Sequence, residues 1–187
     1  MKNLIICISG TPGTGKTAVA KELKKLIDGN LISINSLIRK GAIKCGWDKK
    51  RKTRIVDVKD AERAARKRLK DGINIVDSHY SHLMRCGLCV ILRTNPLILI
   101  KRLEKRGWSR AKIKENVMAE MLDEISIEAK EKDIRFVEID TSKTTPEKAA
   151  RKIKSMLNSF PMQKYYRART DWTRRYSRLL TDMGKGG

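Results

Sequence analysis

No apolar run in this 187-residue chain approaches the ~18 residues that a membrane-crossing helix needs, which excludes a transmembrane helix. Cysteine is scarce. Cys7, Cys45, Cys86 and Cys89 lack the dense, even spacing of a small secreted scaffold, so a disulfide framework is excluded and reduced thiols are expected. Internal repeats and long low-complexity segments are also missing, and the length suits one compact domain. Acidic residues are few. Against 21 Asp and Glu stand 43 Lys and Arg, a net charge of +22 that exceeds what solubility requires. A surplus of this size suits a phosphate backbone such as RNA, although a uniformly basic proteome would also produce it. The chain opens on a strand-like run, Leu4 to Ile8, that leads into a loop and not into a cleavage site. A soluble cytoplasmic protein with no membrane partner is expected.

What is present is an alternation of strands and helices. Leu4 to Ile8 is continuously apolar, as a strand buried on both faces of a parallel sheet requires. A glycine loop follows, then Ala18, Val19, Leu23, Leu26 and Ile27 recur at helical spacing until Asp28 and Gly29. Leu31 to Ile34 reads as a second strand and Asn35 or Ser36 as the cap of a short helix through Arg39. Cys45 to Arg54 is basic and aperiodic, and Val58 to Leu69 is a charged helix. Ile73 to Val76 and Leu88 to Leu92 are further strands ending at Asp77 and Arg93. Pro96 opens a helix that Arg106 and Gly107 close, and a second helix is expected from Ser109 to Lys132. Phe136 to Ile139 is the fifth strand, and Thr145, Pro146 and Glu147 start a helix running to Phe160. Five strands joined through helices imply an α/β, three-layer, doubly wound parallel sheet with ligands at the strands' carboxyl ends.

Gly10-Thr11-Pro12-Gly13-Thr14-Gly15-Lys16-Thr17 fulfils G-x-x-x-x-G-K-[ST] between a strand and a helix, the setting of a P-loop NTPase. Glycines let the backbone close on a phosphate so that amide N–H groups and the helix terminus meet its oxygens. Gly10, Gly13, Thr14, Gly15, Lys16, Thr17 and Ala18 are therefore the expected ATP-binding residues. Lys16 would neutralise the β and γ oxygens, and Thr17 would ligate Mg2+. Asp77, at a strand's carboxyl end, suits a water-mediated hold on the same metal or a plain strand terminus. His79 is placed to orient a water or an acceptor hydroxyl. His79, His82, Cys86 and Cys89 also have a spacing that would serve zinc.

These segments, together with Val90-Ile91-Leu92-Arg93-Thr94-Asn95-Pro96 and Arg102-Leu103-Glu104-Lys105-Arg106-Gly107-Trp108, resemble the atypical adenylate kinases. The chain is similar over residues 1 to 158 to archaeal members of the nuclear-type adenylate kinase and ATPase family that accompanies small ribosomal subunit maturation. The resemblance implies a nucleoside monophosphate kinase-like sheet of strand order 2-3-1-4-5 in a kinase domain over residues 1–160. It places the monophosphate-binding insert at about 30–54, with Asn35 and Arg39 receiving the monophosphate, and a short lid at about 108–118. Arg106 and Arg110 would cover the transferring phosphoryl group there. Common adenylate kinases carry Asp-Gly-Phe-Pro-Arg where this chain has Asp77-Ser78-His79-Tyr80-Ser81. A monophosphate-gripping arginine is thus missing, and the histidine of the atypical group's Asp-x-His triplet takes a role in ATP hydrolysis. Lys16, Asp77, His79 and Arg106 are the implied catalytic set. The implied partners are ATP, AMP or another NMP, the ribosomal protein uS11 and small-subunit rRNA, with Mg2+ accompanying ATP.

Residues 39 to 70 carry fourteen Lys and Arg against four acidic residues, a net of +10 that one monophosphate does not need. RNA would use it, or it is the solvated face of a charged helix. The segment 161–187 interleaves aromatics with Lys and Arg, as an RNA-docking arm would. Yet Trp172, Tyr176, Leu179, Leu180 and Met183 follow helical spacing, as a helix packed on its own domain would. The last four residues, from Gly184, are expected to be disordered. Two rival functions remain: a nucleotide-switched ribosome assembly factor with incidental kinase activity, and a kinase of small alcohols or acids.

Overall fold

A computed structural model describes residues 3–49, 53–158, 166–167 and 170–184. Its central sheet is built from β1 (Leu4–Ser9), β2 (Asn30–Ser33), β5 (Ile73–Asp77), β6 (Leu88–Arg93), β7 (Phe136–Asp140) and the two-residue β8 (Tyr166–Arg167). The spatial order is β2-β5-β1-β6-β7-β8, all parallel. The five strands expected from sequence therefore stand in the expected order, and β8 extends the edge beside β7. A separate antiparallel hairpin, β3 (Gly46–Asp48) with β4 (Thr53–Ile55), occupies the stretch that reads as aperiodic. Strands of three residues are too short for an alternating pattern to register.

Because successive strand side chains point to opposite faces, each buried strand supplies two cores. Ile6, Ile8, Val90 and Leu92 face α1 (Lys16–Ile27) and α7 (Pro146–Asn158), meeting Val19, Leu23 and Ile153. Cys7, Cys89 and Ile91 face the other way, toward α2 (Ile34–Arg39), α3 (Val58–Arg66) and α6 (Glu124–Glu131). These are the three layers. A third cluster of Leu99, Leu103, Ile113, Val117, Met121 and Trp172 joins α4 (Pro96–Glu104) and α5 (Arg110–Met121) to α8 (Trp172–Arg175) and α9 (Ser177–Gly184).

Local chemistry sets several boundaries. Ser33 caps α2, its hydroxyl accepting from Ser36 N, so the cap lies earlier than Asn35 or Ser36. Asn95 caps α4 with Pro96 in the first turn. The single helix expected from Ser109 to Lys132 is two, because Asp123 takes φ 57° between α5 and α6. An aspartate tolerates that left-handed geometry, and here it delivers its carboxylate to the Arg93 guanidinium. The far end of α7 beyond Asn158, and Pro161, lie outside the described residues. Gly184 ends α9, and 185–187 lie outside them as well.

Candidate nucleotide-binding site

The loop between β1 and α1 is held in one shape from several sides. Gly10, Gly13 and Gly15 have φ of 138°, 98° and 95°, values that an L side chain rarely adopts. A Cβ at Gly10 would stand 2.4 Å from Leu92 O, and one at Gly13 would stand 2.6 Å from Leu99 Cδ1. A Cβ at Gly15 would meet nothing within 4 Å, so that face is open to an incoming group. Thr141 Oγ1 donates to Thr14 O at 2.8 Å, and Arg102 Nη1 to Gly13 O at 3.2 Å.

Lys16 opens α1, is buried, and donates from Nζ to Gly10 O at 2.6 Å and Thr11 O at 3.1 Å. Burial lowers its pKa to about 8; Asp77 and Glu120 hold it up, and the Arg106 charge pushes it further down. Thr17 Oγ1 donates to Asp77 Oδ2 at 2.7 Å. Asp77 Oδ1 is buried without a hydrogen-bond partner among the described residues, an exception to the satisfaction of buried polar atoms. Burial raises the Asp77 pKa, and Thr17 and Lys16 oppose the rise. A hard cation accepts oxygen donors of this kind, so Thr17 Oγ1 and Asp77 Oδ1 fit Mg2+, directly or through water.

His79, two residues beyond Asp77, is half-buried, and burial together with the Lys16 charge lowers its pKa to about 3. The ring is therefore neutral at pH 7. His82 has a different place. Its Nδ1 meets Ser9 Oγ at 2.9 Å and its Nε2 meets Glu128 Oε2 at 2.7 Å, tying β1 to α6. Cys86 shares hydrogen bonds with Cys7 and Cys89, which are register partners on β1 and β6. Among the described residues no group of three or more His, Cys, Asp or Glu is arranged for a metal ion, so the zinc spacing is not realised.

Arg106 is exposed just past α4, close enough to act on Lys16 electrostatically. Arg110 is exposed at the start of α5, after Trp108, whose ring Lys112 Nζ overlies at 4.7 Å. Ala18 is exposed on the first turn of α1. Asn35 and Arg39 are exposed on α2, which packs on β5 and α3. Neither hydrogen-bonds to the loop among the described residues. A cleft of ≈ 580 Å³ lined by Cys86, Leu88, Arg135 and Phe136 lies at the amino ends of β6 and β7, away from all these groups. The site is thus an open cradle at the carboxyl end of the sheet.

An AAA domain family matches residues 6–123. A protein named "Putative adenylate kinase" from Pyrococcus furiosus is 34% identical over 185 residues, covering 98% of this chain and 99% of the relative. A protein of the same name from Methanocaldococcus jannaschii is 33% identical over 177 residues, covering 94% and 97%. The chain belongs to the archaeal adenylate kinase-like family. Among solved structures, a shikimate kinase from Acinetobacter baumannii superposes with TM-score 0.58 at 17% identity, covering 87% of this chain and 97% of that one. A gluconokinase from Sinorhizobium meliloti does so with TM-score 0.52 at 14% identity, covering 83% and 96%. At such identities the likeness shows the fold alone. No helix among the described residues is long and apolar enough to cross a membrane.

Two residues escape the sequence reading as parts of the site. Arg102 reaches Gly13 O, Thr94 Oγ1 and Thr141 O. Glu120 accepts from Thr11, and Trp172 donates to Glu120. Arg102 sits one helical turn before Arg106, the one signal that could have marked it. The Glu120 contacts span 109 and 52 residues of sequence and carry no local signature.

Proposed function

We propose that this protein is a Mg2+-dependent nucleoside monophosphate kinase. It moves the γ-phosphoryl group of ATP to AMP or another NMP and hydrolyses ATP when no acceptor is bound. The observation that carries this reading is the gathering of Lys16, Thr17 and Asp77 around the open face of Gly15. Membership of an adenylate kinase-like family supports it. One kinase unit over residues 1–160, with an acceptor insert at 30–54 and a lid at 108–118, serves both substrates.

The backbone of Gly13 to Thr17 and the start of α1 receive the β-phosphate, with Ala18 continuing the first turn. Lys16 leaves the Gly10 and Thr11 carbonyls to pair with the β and γ oxygens. Thr17 and Asp77 hold Mg2+, which supplies neutralisation of the charge that develops on the phosphates. Arg106, or Arg110 from the lid, covers the transferring group, and Asn35 and Arg39 receive the monophosphate. An acceptor phosphate oxygen attacks the γ-phosphorus as the bond to the β–γ bridging oxygen breaks, leaving two diphosphates. With water in the acceptor's place, the products are ADP and inorganic phosphate. His79, neutral at pH 7, accepts a hydrogen bond from that water and orients it.

A second reading is favoured by the exposed cations Lys40, Lys44, Lys49, Arg63, Arg66 and Lys67 near the insert. On it, the enzyme acts in maturation of the small ribosomal subunit and 16S rRNA, with uS11 and rRNA as partners and the nucleotide as the switch for binding and release. ADP formation measured with ATP alone and with ATP plus AMP tests the first reading. Its expected result is ADP beyond the hydrolysis rate when AMP is added, and equal rates would overturn it. Binding of small-subunit RNA that falls steeply with added salt is expected for the second, and no binding at low salt would overturn that one.

A further inference from the structure

Glu120 lies on α5, outside every sequence motif, and is 2% exposed. A carboxylate so deeply buried is costly unless it is fully paired. Glu120 is paired on all sides. Its Oε2 accepts from Thr11 Oγ1 at 2.7 Å, and its Oε1 from Arg93 Nε at 2.9 Å, Thr94 N at 2.9 Å and Trp172 Nε1 at 3.2 Å. Arg93 is itself buried and fixed by Glu138, Asp123 and the Glu120 carbonyl, so the carboxylate takes its direction from Arg93, Thr94 and Trp172 together.

Two of these donors join distant parts of the chain. Thr11 is the second residue of the phosphate loop. Its carbonyl accepts from Lys16 Nζ, Thr14 N and Thr14 Oγ1, so its position sets both the lysine and the turn. Trp172 belongs to the C-terminal segment and is 3% exposed, closing the cluster that contains Leu99 and Leu103. Those two leucines are also what a Cβ at Gly13 would strike. The loop therefore rests at Thr11 on a polar contact, and at Gly13 on an apolar one, of a single unit that Trp172 completes. Thr173 Oγ1 donates to Met121 O at 2.7 Å and Asn95 Nδ2 donates to Tyr176 Oη, which hold the segment in its seat.

We propose that Glu120 is a positioning residue for the ATP site and that Trp172 sets it, which makes the C-terminal segment a working part of that site. The proposal rests on the reading of the loop as an ATP site. Its agent is a fixed hydrogen-bonded chain, Trp172 to Glu120 to Thr11, and not a group that touches nucleotide. Substitutions that keep shape and remove one link should loosen ATP binding while leaving the chemical step alone.

The test uses the full chain, with ATP affinity by calorimetry and steady-state constants for wild type, Trp172→Phe, Thr11→Val and the double variant. Trp172→Phe keeps an aromatic ring in the seat and deletes the N–H. Its ATP affinity is expected to fall about fivefold, the equivalent of one net hydrogen bond, with KM for ATP rising alike and kcat within about twofold. In the Thr11→Val background the same change should add no further loss, because the chain is already cut. Wild-type affinity in Trp172→Phe, or losses that multiply in the double variant, would overturn the proposal. Should Trp172→Phe fail to fold, Glu120→Gln decides: raised KM with kept kcat supports the chain, and unchanged constants sink it. A wild type that binds no ATP would remove the underlying reading instead.

Discussion

The two ends of the proposed two-nucleotide site are built differently. At the donor end, Gly10 to Thr17 is fastened by Arg102, Glu120 and Thr141, and a Cβ at Gly10 or Gly13 would collide with its surroundings. At the acceptor end, Asn35 and Arg39 stand exposed on a six-residue helix, and the neighbouring hairpin presents Trp47 at 59% exposure. Preorganised donors cost no rearrangement at the moment of reaction, whereas an open acceptor side must close on its substrate. The difference separates what the fold has already prepared from what binding has to complete.

The largest expected effect strikes the prepared end. Lys16→Met keeps the length of the side chain and deletes the charge, so kcat/KM for ATP should fall by about 10²–10³, the cost of one lost transition-state contact. Since a buried charge is removed, the melting temperature should hold or rise. A steep fall in both would mean that Lys16 serves the fold and not the phosphate.

The pH dependence is next. Burial places the Lys16 pKa at about 8 against 10.5 for an ordinary lysine. In the free enzyme the ammonium is lost above that point, so kcat/KM for ATP should drop toward about tenfold per pH unit beyond it. Bound phosphate restores the proton, and kcat should hold to higher pH. Stability has the opposite slope. Between 8 and 10.5 the unfolded chain binds more protons, so the contribution of Lys16 to stability rises with pH there. A kcat/KM profile flat to pH 10 would contradict the burial of this lysine.

Legibility from sequence divides along the same line. The loop, Asp77 and the five strands were readable because each is a local pattern: eight consecutive positions, or four to six apolar residues with a polar stop. Their spatial order followed the family resemblance. The hairpin was not readable, since charge dominates 45–54 and three-residue strands leave no period. Nor was the break at Asp123, whose cause is a contact with Arg93, thirty residues away. The tail suited two readings equally well by composition, and the burial of Trp172 decides for packing on its own domain. Residues 161–165, part of the same aromatic and basic tail, lie outside the described residues.

At the open end, Arg39→Ala is expected to raise KM for AMP about tenfold through loss of one charge-assisted contact. ATP hydrolysis without an acceptor should be unchanged, because Arg39 makes no hydrogen bond to the loop among the described residues. Equal losses in both assays would show that the two ends are not separable and would weaken the contrast.

The smallest effect concerns the two tryptophans, which share a residue type and nothing else. Trp172 fills a closed cluster, whereas Trp47 stands out from a basic hairpin, where a ring face is available to stack on a nucleobase. Trp47→Ala should leave stability within about 0.5 kcal/mol, since an exposed side chain contributes little to the fold. Kinase constants should stay at wild type. If the basic face meets single-stranded RNA, affinity for an oligoribonucleotide should fall about fivefold, at the low end of what one stacked base contributes. Denaturant midpoints and fluorescence titrations check the two halves independently. An unchanged RNA affinity would leave the cations alone to account for binding, whereas a large loss of stability would mean that the hairpin belongs with the fastened end after all.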